Sequence, residues 1–520
     1  MNKKWRLIHG ILFSLLIFLA AVSGVKAEFF NRQNDLPEQD FVPGELLVKF
    51  KDMSLSPGPQ ILQGPEAEAV VAKLPAMNRF VLREIGGRTV RAFPQIGVIR
   101  VKIPAGGSVR RAARILAESG VVEYAEPNYL RYSQRFTAAD IAVGPTEALA
   151  PGLFDIPTRV QPAPAQAPDQ PVPATETPDD DDFPRQWALD NTGQEINGTS
   201  GAADADIDAP EAWAVRINGM NATGGAAAIA ALIDSGVDYN HPDLKDNMWQ
   251  DENGSHGFNA LNDAADTRDP MDNEGHGTHL AGIIGAVGNN GLGVCGVNWQ
   301  TRLMALKFMD VEGVGSDADA VECITYALQH KGDSRMVMNI SWGGENFSRA
   351  LHDAMAEARN AGVLFVAAAG NNSRNTDVAR FYPAGYNLDN IIVVGASDQR
   401  DARAFFSNFG PRSVDLFAPG VNIWSTVIDG DYGFGTGTSM ACPFVTGAAA
   451  LIWSKDPSAD YRTVKKFILR GVDKKPAFRN ACVSRGRLNL YKAVSKLTGT
   501  VSQPKATPLS DPSIILRLLR

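Results

Sequence analysis

The sequence predicts an α/β protein, with a mainly parallel central sheet covered by helices on both faces and a small α+β module in front of it. Three observations carry this prediction. Six short runs between residues 226 and 418 are continuously apolar rather than alternating, the pattern of strands buried on both faces. Stretches of helical periodicity lie between those runs. A Pro- and Ala-rich stretch separates this region from an earlier one whose strands alternate apolar and polar residues.

In chain order, residues 1–27 open with Lys3, Lys4 and Arg6 and continue in an apolar run over 11–22. That run is too short for a membrane span, which needs about 20 residues. Val25 and Ala27 then offer small residues at the −3 and −1 positions of a cleavage site. The segment reads as a secretory signal peptide, which places the mature protein outside the cytoplasm. Residues 28–132 form a first module, with strands expected at 45–50, 97–103 and 121–125 and a helix over 108–119. It contains no His and no Cys, so it has little with which to do chemistry. Residues 133–182 carry nine prolines and close on four consecutive aspartates, Asp179, Asp180, Asp181 and Asp182. Such a composition builds no core and predicts an extended, protease-accessible linker.

Residues 183–498 hold the strand candidates, at 226–233, 302–309, 336–341, 363–369, 391–395 and 414–418. One helix opens at Ser316 with Asp319 as its capping-box partner. Another runs over 348–361 and stops at Gly362, a C′ glycine. A polar tail, 499–520, follows, whose one apolar stretch is 514–519.

Composition narrows the function. Hydrophobic residues are 44% and charged residues 21%, as in a soluble globular protein. The net charge of −8 argues against a nucleic-acid partner, which calls for a basic face. The four cysteines form no Cys-x-x-Cys pair and supply no structural zinc spacing. Two disulfides are permitted in an exported protein, and sequence does not pair them. Cys442 reads as a small core residue.

Parallel sheets place their sites at the carboxyl ends of strands. Asp234 follows the 226–233 run directly; taken alone, it is as readily a turn-capping acid. His276 lies in Gly-His-Gly-Thr-His (275–279) at the start of an apolar helix. His276 and His279 share a helix face, but the His-Glu-x-x-His of zinc proteases is absent. His279 therefore reads as a buried structural histidine. Ser439 lies in Gly-Thr-Gly-Thr-Ser-Met-Ala-Cys-Pro (435–443), with Pro443 expected in the first turn of a helix, where its missing N–H costs nothing. A serine there is most simply an N-cap, yet the N-terminus also favours negative charge. Jointly, the three residues supply a nucleophile, a base to take its proton, and an acid to orient that base. Asn371, in Ala-Ala-Ala-Gly-Asn (367–371), could aim its amide at an oxyanion, with the Ser439 backbone N–H as second donor.

These four segments, in this order, resemble the motifs of the subtilisin-like serine proteases, the subtilases. Subtilisin is itself the reference case for the Asp-His-Ser order and for an asparagine oxyanion donor. The resemblance spans about residues 183–498. It implies Asp234 as orienter, His276 as general base and acid, Ser439 as nucleophile and Asn371 as oxyanion donor. The segment 339–344 (Asn-Ile-Ser-Trp-Gly-Gly) resembles the family strand that pairs with an extended substrate, implying Ser341, Trp342 and Gly343 as substrate-binding residues. Ordinary core packing is the other reading of Trp342. Segments 41–50 and 121–129 resemble the N-terminal propeptide that assists folding and inhibits the enzyme. The implied protein is a secreted, monomeric serine endopeptidase zymogen that acts on polypeptides and cuts itself between about Tyr132 and Phe183.

The resemblance also implies structural Ca²⁺. Asp243, with the loop 287–294, resembles the family calcium site, and Asp180 is a further candidate ligand; either Asn289 or Asn290 would join them. A second acidic group, Asp263, Asp266, Asp269 and Asp272, is a calcium site or a solvated loop. Residues 291–296 match G-x-G-x-x-G, but a helix precedes them and a strand follows, the reverse of a dinucleotide fold. Two rivals remain. One is a catalytically silent relative that binds peptides in the same groove. The other is an esterase, whose elbow would read Gly-x-Ser-x-Gly with its histidine last.

Overall fold

The computed structural model describes residues 40–53, 58–133, 175–261 and 266–498. The expected signal segment, most of the Pro-rich stretch and the C-terminal tail lie outside the described residues. The chain divides into two units. The first comprises residues up to Leu130 with Ser316–Ala318 and Ser348–Ala350, and the second comprises the rest.

In the first unit the alternating segments become an antiparallel sheet. Its strands are β1 (Phe41–Phe50), β2 (Leu62–Gln63), β3 (Arg88–Phe93), β4 (Val98–Lys102) and β5 (Val122–Ser133), in the order β5-β1-β4-β3-β2. Helices α1 (Pro65–Ala72), α2 (Ala76–Glu84) and α3 (Val109–Glu118) accompany it. The helix expected over 108–119 is α3, and the Ser108 hydroxyl caps it by accepting from Arg111 N–H. Leu46, Val48, Val101, Ala112 and Leu116 meet in the core. One buried ion pair crosses β1 and β4, with Arg100 Nη2 2.7 Å from Glu45 Oε2.

In the second unit the continuous apolar runs form the centre of a nine-stranded sheet. Its strands are β6 (Ala228–Asp234), β7 (Gly257–Asn259), β8 (Leu303–Lys307), β9 (Arg335–Ile340), β10 (Leu364–Ala368), β11 (Ile391–Ser397) and β12 (Leu416–Pro419), completed by β15 (Asp473–Lys474) and β16 (Gly486–Arg487). The order is β7-β8-β6-β9-β10-β11-β12-β16-β15, parallel throughout except for the last pair. The six predicted strands agree with β6 and β8 to β12 within two residues at each end. The unit also holds helices α4 (His276–Gly285), α5 (Asp317–His330), α6 (Arg349–Asn360), α7 (Thr438–Lys455), α8 (Tyr461–Gly471) and α9 (Leu490–Val494), a hairpin of β13 (Ile423–Val427) and β14 (Asp431–Gly435), and several shorter elements, among them a five-residue helix Ala209–Trp213. The hairpin and the strands β7, β15 and β16 went unpredicted. They are short, and glycine or polar residues interrupt their apolar pattern.

Helix α7 is the centre of the unit. Every residue from Thr438 to Trp453 is buried, as befits a helix apolar on all sides. It packs against α4 and against β9, β10 and β11. The structure corrects one expectation here. Pro443 stands inside α7, not in its first turn. Its ring removes the N–H that would have bonded to the Ser439 carbonyl, and the Ser341 hydroxyl donates to that carbonyl instead, at 3.0 Å. The helix therefore keeps its proline at the position next to the functional segment without an orphaned oxygen.

The last segment of the unit is tied to its first. Leu490 N–H donates to the Ile207 carbonyl at 2.7 Å. Arg487, fully buried, donates to Asp401 Oδ1 at 2.7 Å, to Asp473 Oδ2 at 3.1 Å and to the Asp204 carbonyl at 3.1 Å. Burial pushes the nearby Asp206 and Asp208 carboxyls above their ordinary range, while the Arg487 charge pulls both down. A folded-state acid with a raised pKa contributes stability at low pH and loses it as pH rises through that pKa. Arg487 limits this loss. Replacing it by Met takes one of two cations from Asp401 and from Asp473, which keep Lys475 and Lys492, and also removes the charge that lowers Asp206 and Asp208; we expect about 3 kcal/mol of destabilisation at neutral pH. The deficit should shrink as pH is lowered and Asp206 and Asp208 take up protons. Thermal unfolding of the variant and the native chain between pH 5 and 9 checks both the size and the sign.

Candidate active site

Three neighbouring strands, β6, β9 and β10, deliver three segments to one end of the sheet. The backbone reaches that end at Asp234, at Ser341 and at Gly370–Asn371. Helices α4 and α7 begin there as well and pack together.

Asp234 is fully buried. Its Oδ1 accepts from Ser235 N–H at 2.9 Å and lies 2.7 Å from His276 Nδ1. A carboxylate only accepts, so Nδ1 carries the proton of that bond and the basic lone pair of a neutral ring falls on Nε2. His276 is the first residue of α4. The helix start is held by Asp272, whose carboxylate accepts from Glu274 N–H, Gly275 N–H, Thr278 N–H and the Thr278 hydroxyl. Those bonds hold the Asp272 carboxyl below its ordinary range despite its burial. Gly277 lets the helix approach β6, since a Cβ there would strike the Gly236 carbonyl. Lys307 stands beside Asp234 in the sheet register and donates to the Ser235 carbonyl at 2.6 Å and to Asn273 Oδ1 at 2.7 Å. Burial pulls its ammonium below the ordinary lysine range, and the surrounding carboxylates push it back up.

Ser439 occupies the first turn of α7, and its Oγ donates to the Ser341 carbonyl at 3.0 Å. Asn371 is oriented by its neighbour Thr438. The Asn371 amide oxygen accepts from Thr438 N–H at 3.0 Å and from the Thr438 hydroxyl at 2.8 Å. The same hydroxyl accepts from Gly370 N–H at 3.2 Å. With its oxygen so committed, the Asn371 side chain presents its NH₂ as the donor end. His279 is buried with Nε2 3.1 Å from the Ile423 carbonyl and 3.2 Å from that of Gly433, joining α4 to the β13–β14 hairpin. That is the structural position expected of it.

The segment 341–343 has two aspects. Trp342 and Gly343 pair antiparallel with Ser133 and Tyr132, residues that group with the second unit. Ser133 N–H also donates to the Gly313 carbonyl at 3.1 Å, so an extended chain lies there between two backbone edges. The Trp342 indole turns the other way. It is fully buried against Phe308 and donates to the Ile233 carbonyl at 2.7 Å, one residue before Asp234.

The acidic residues distribute unevenly. The aspartates that close the expected linker are bound to the second unit. Asp180 accepts from Asn289 N–H at 2.8 Å and Asn290 N–H at 3.2 Å, and Asp182 N–H donates to the Gly293 carbonyl at 2.7 Å. Asp243 accepts from Asn290 Nδ2 at 2.9 Å and from Val294 N–H at 3.0 Å. Burial pushes the Asp180 carboxyl up and that of Asp243 to about 6, and the Asp180 charge adds to the rise at Asp243. Of the second acidic group, Asp263 lies outside the described residues. The other three are engaged separately: Asp266 with Arg268, Asp269 with the Tyr239 hydroxyl, and Asp272 at the start of α4. Among the described residues, no three His, Cys, Asp or Glu side chains gather as a metal cluster.

The roles of Thr438, Asp272 and Lys307 escaped the sequence reading, in which Asp272 stood only as a member of the second acidic group. Asp272, four residues before an apolar helix, was a readable capping signal. Thr438 and Lys307 act through neighbours distant in sequence and carry no local mark. The four cysteines are buried and unbridged. Cys442 lies 3.2 Å from the Val366 carbonyl, and burial pushes its thiol to about 12, as suits a core residue.

With this geometry in place, the relationship is plain. A subtilase-family profile matches residues 225–486, and a profile of the fervidolysin N-terminal prodomain matches residues 76–128. The chain belongs to the subtilase family of serine proteases. Among individual relatives, the thermophilic serine proteinase of Bacillus sp. strain AK1 is 31% identical over 495 residues, covering 93% of this chain and 96% of that protein. Subtilisin amylosacchariticus of Bacillus subtilis subsp. amylosacchariticus is 41% identical over 229 residues, 44% of this chain and 56% of that protein. In fold, the chain is similar to the crystal structure of fervidolysin from Fervidobacterium pennivorans, described as a keratinolytic enzyme related to subtilisin. The TM-score is 0.60 at 23% identity, over 89% of this chain and 62% of that one.

The Trp342 bond gives a direct test of how the Asp234 strand end is held. Trp342→Phe keeps an aromatic side chain but a smaller one and deletes the donor, so the buried Ile233 carbonyl loses its indole partner and a void opens beside it. A loss of at least about 1–3 kcal/mol in denaturant unfolding is expected; an unchanged midpoint would show that neither the bond nor the indole's volume supports the strand end.

Proposed function

We propose that the chain is exported as a zymogen and matures into an endopeptidase that works through an acyl-enzyme. In this reading Ser439 Oγ attacks the peptide carbonyl while His276 Nε2 takes its proton. Asp234 holds the imidazole and stabilises its charged form. The Asn371 NH₂ and the Ser439 backbone N–H receive the oxyanion. His276 then returns the proton to the leaving amine, and water repeats the sequence on the acyl group. The observation that carries the reading is the 2.7 Å contact between His276 Nδ1 and Asp234 Oδ1 inside a buried site, which sets up Nε2 as the base. Substrate would add as a strand along Trp342 and Gly343, the pairing that Ser133 and Tyr132 already make.

The first module would act as the inhibitory propeptide and cut its own connection to the enzyme. The bonding of Asp180, Asp182 and Glu176 to the second unit narrows the cut to residues 134–175. Secreted Ser439→Ala should keep its propeptide covalently attached, whereas the native chain should start within that interval by N-terminal sequencing. The native product should also hydrolyse peptides and lose that activity to a serine-directed phosphonate. A normally trimmed Ser439→Ala chain would assign the cut to another protease.

Structural calcium belongs to the same reading. The donor chemistry fits, because Asp180 and Asp243 are buried carboxylates, the Asp180 charge raises the proton affinity of Asp243, and Asn290 bonds to both, to Asp180 through its backbone N–H and to Asp243 through its side-chain amide. A cation relieves that repulsion, and neutral amide and carbonyl oxygens complete a set suited to Ca²⁺. Asp180, Asp243 and Asn290 or Asn289 would hold it, and its contribution would be to bind residues 179–182 and the 287–294 loop together. At calcium a hundredfold above its Kd, binding adds about 2.7 kcal/mol of stability. Chelation should lower the unfolding temperature, and Asp243→Asn should remove the response; an unfolding temperature indifferent to chelator would end the proposal.

A further inference from the structure

Two backbone walls flank the end of β9 and β10, and a single aromatic ring stands between them. The first wall is Gly343, on the strand that pairs with an extended chain. The second is Gly370, immediately before Asn371. The loop that carries the ring is fastened to the first wall, since Gly344 N–H donates to the Tyr382 carbonyl at 2.9 Å and Tyr382 N–H to the Gly344 carbonyl at 2.8 Å. Phe381, next to that fastening, is 7% exposed. A methyl group added at Gly343 would overlap Cε1 and Cζ of its ring, and one added at Gly370 would lie 3.2 Å from Cδ1 and 3.3 Å from Cε1. The ring therefore fills the space that the missing side chain of Gly343 leaves and reaches across to Gly370, beside which the Asn408 amide stands closer still.

The position of that space matters, given the hydrolytic reading above, on which this inference rests. A carbonyl attacked by Ser439 and held by the Asn371 NH₂ must lie between the ends of β9 and β10. Side chains alternate along an extended chain, and in this reading the residue that owns this carbonyl would turn its side chain into the gap between the same two strand ends. We propose that Phe381 sets the specificity of the enzyme by plugging this gap. The residue on the acyl side of the scissile bond is then small, Gly, Ala or Ser, because a Leu, Phe or Lys side chain meets the phenyl ring. Phe381 is a specificity residue and takes no part in the chemistry. Trp342, whose indole is directed into the core, leaves the choice to it.

The test uses peptides that differ only at the acyl-side residue (Ala, Leu or Phe), with the processed native enzyme and the graded series Phe381→Leu, Phe381→Val and Phe381→Ala. The native enzyme should favour Ala over Phe by at least about tenfold in kcat/KM. The variants should raise kcat/KM for Leu and Phe progressively, by roughly 10- to 100-fold at Phe381→Ala, the range over which a hydrophobic pocket discriminates. Folded variants that keep the native ranking, or a native enzyme that prefers Leu or Phe, would overturn the proposal. Should the variants fail to fold, the native enzyme alone decides. Mass spectrometry of its products from one denatured protein must show small residues before the cuts, and bulky ones there refute the plug. Ser439→Ala separates the two layers. Peptide hydrolysis that persists in Ser439→Ala removes the hydrolytic reading and the plug with it, whereas hydrolysis lost there with an unmoved ranking removes the plug alone.

Discussion

The arrangement depends on one constraint, the common direction of the strands. Because β6, β9 and β10 are neighbours and parallel, their carboxyl ends fall side by side, and the residues they release need no long excursion to meet. Helices that return across the sheet begin at that same end, so α4 and α7 bring His276 and Ser439 in their first turns. Rigid strands position the acid and the amide, while helix starts position the imidazole and the hydroxyl. None of the four residues relies on a long loop, which suits chemistry that tolerates little misplacement.

Much of this was legible in the sequence, for identifiable reasons. Strands buried on both faces must be apolar throughout, so β6 and β8 to β12 announced themselves. Asp234, His276, Asn371 and Ser439 sit where glycine and small residues crowd around a polar side chain, a pattern that core packing does not produce. Legibility failed where the decisive partner is remote. Nothing near Thr438 says that its hydroxyl and amide grip the Asn371 oxygen from 67 positions away. Nothing near Lys307 says that it lies beside Asp234. The aspartates at 179–182 read as the end of an extended linker because their composition is polar, with only Asp180 singled out, through the family resemblance, as a candidate ligand near the 287–294 loop. Their backbone and amide partners, Asn289 and Asn290, are more than a hundred residues on.

Pro443 and Trp342 show how the site and the core share their supports. The proline interrupts the hydrogen bonding of α7, and the repair comes from Ser341, whose own carbonyl accepts from the Ser439 hydroxyl. The two serines thus hold each other across the gap between a strand end and a helix start. Trp342 follows immediately, with its backbone on the pairing edge and its indole bonded to the end of β6. A three-residue stretch touches the hydroxyl, the pairing edge and the acid-bearing strand together. Substitutions there disturb several functions at once, and simple additivity is not expected of them.

The bonds from Arg487 and Leu490 back to Asp204 and Ile207 have a consequence in time. They join residues some 280 positions apart, and β16, which carries Arg487, extends the parallel sheet next to β12. The second unit cannot close around its hydroxyl until almost the whole polypeptide has been delivered, since contacts so distant along the chain form late. A chain still being synthesised therefore carries all the parts of the site before residues 487–490 arrive to tie the unit together, and that late segment acts as the clock.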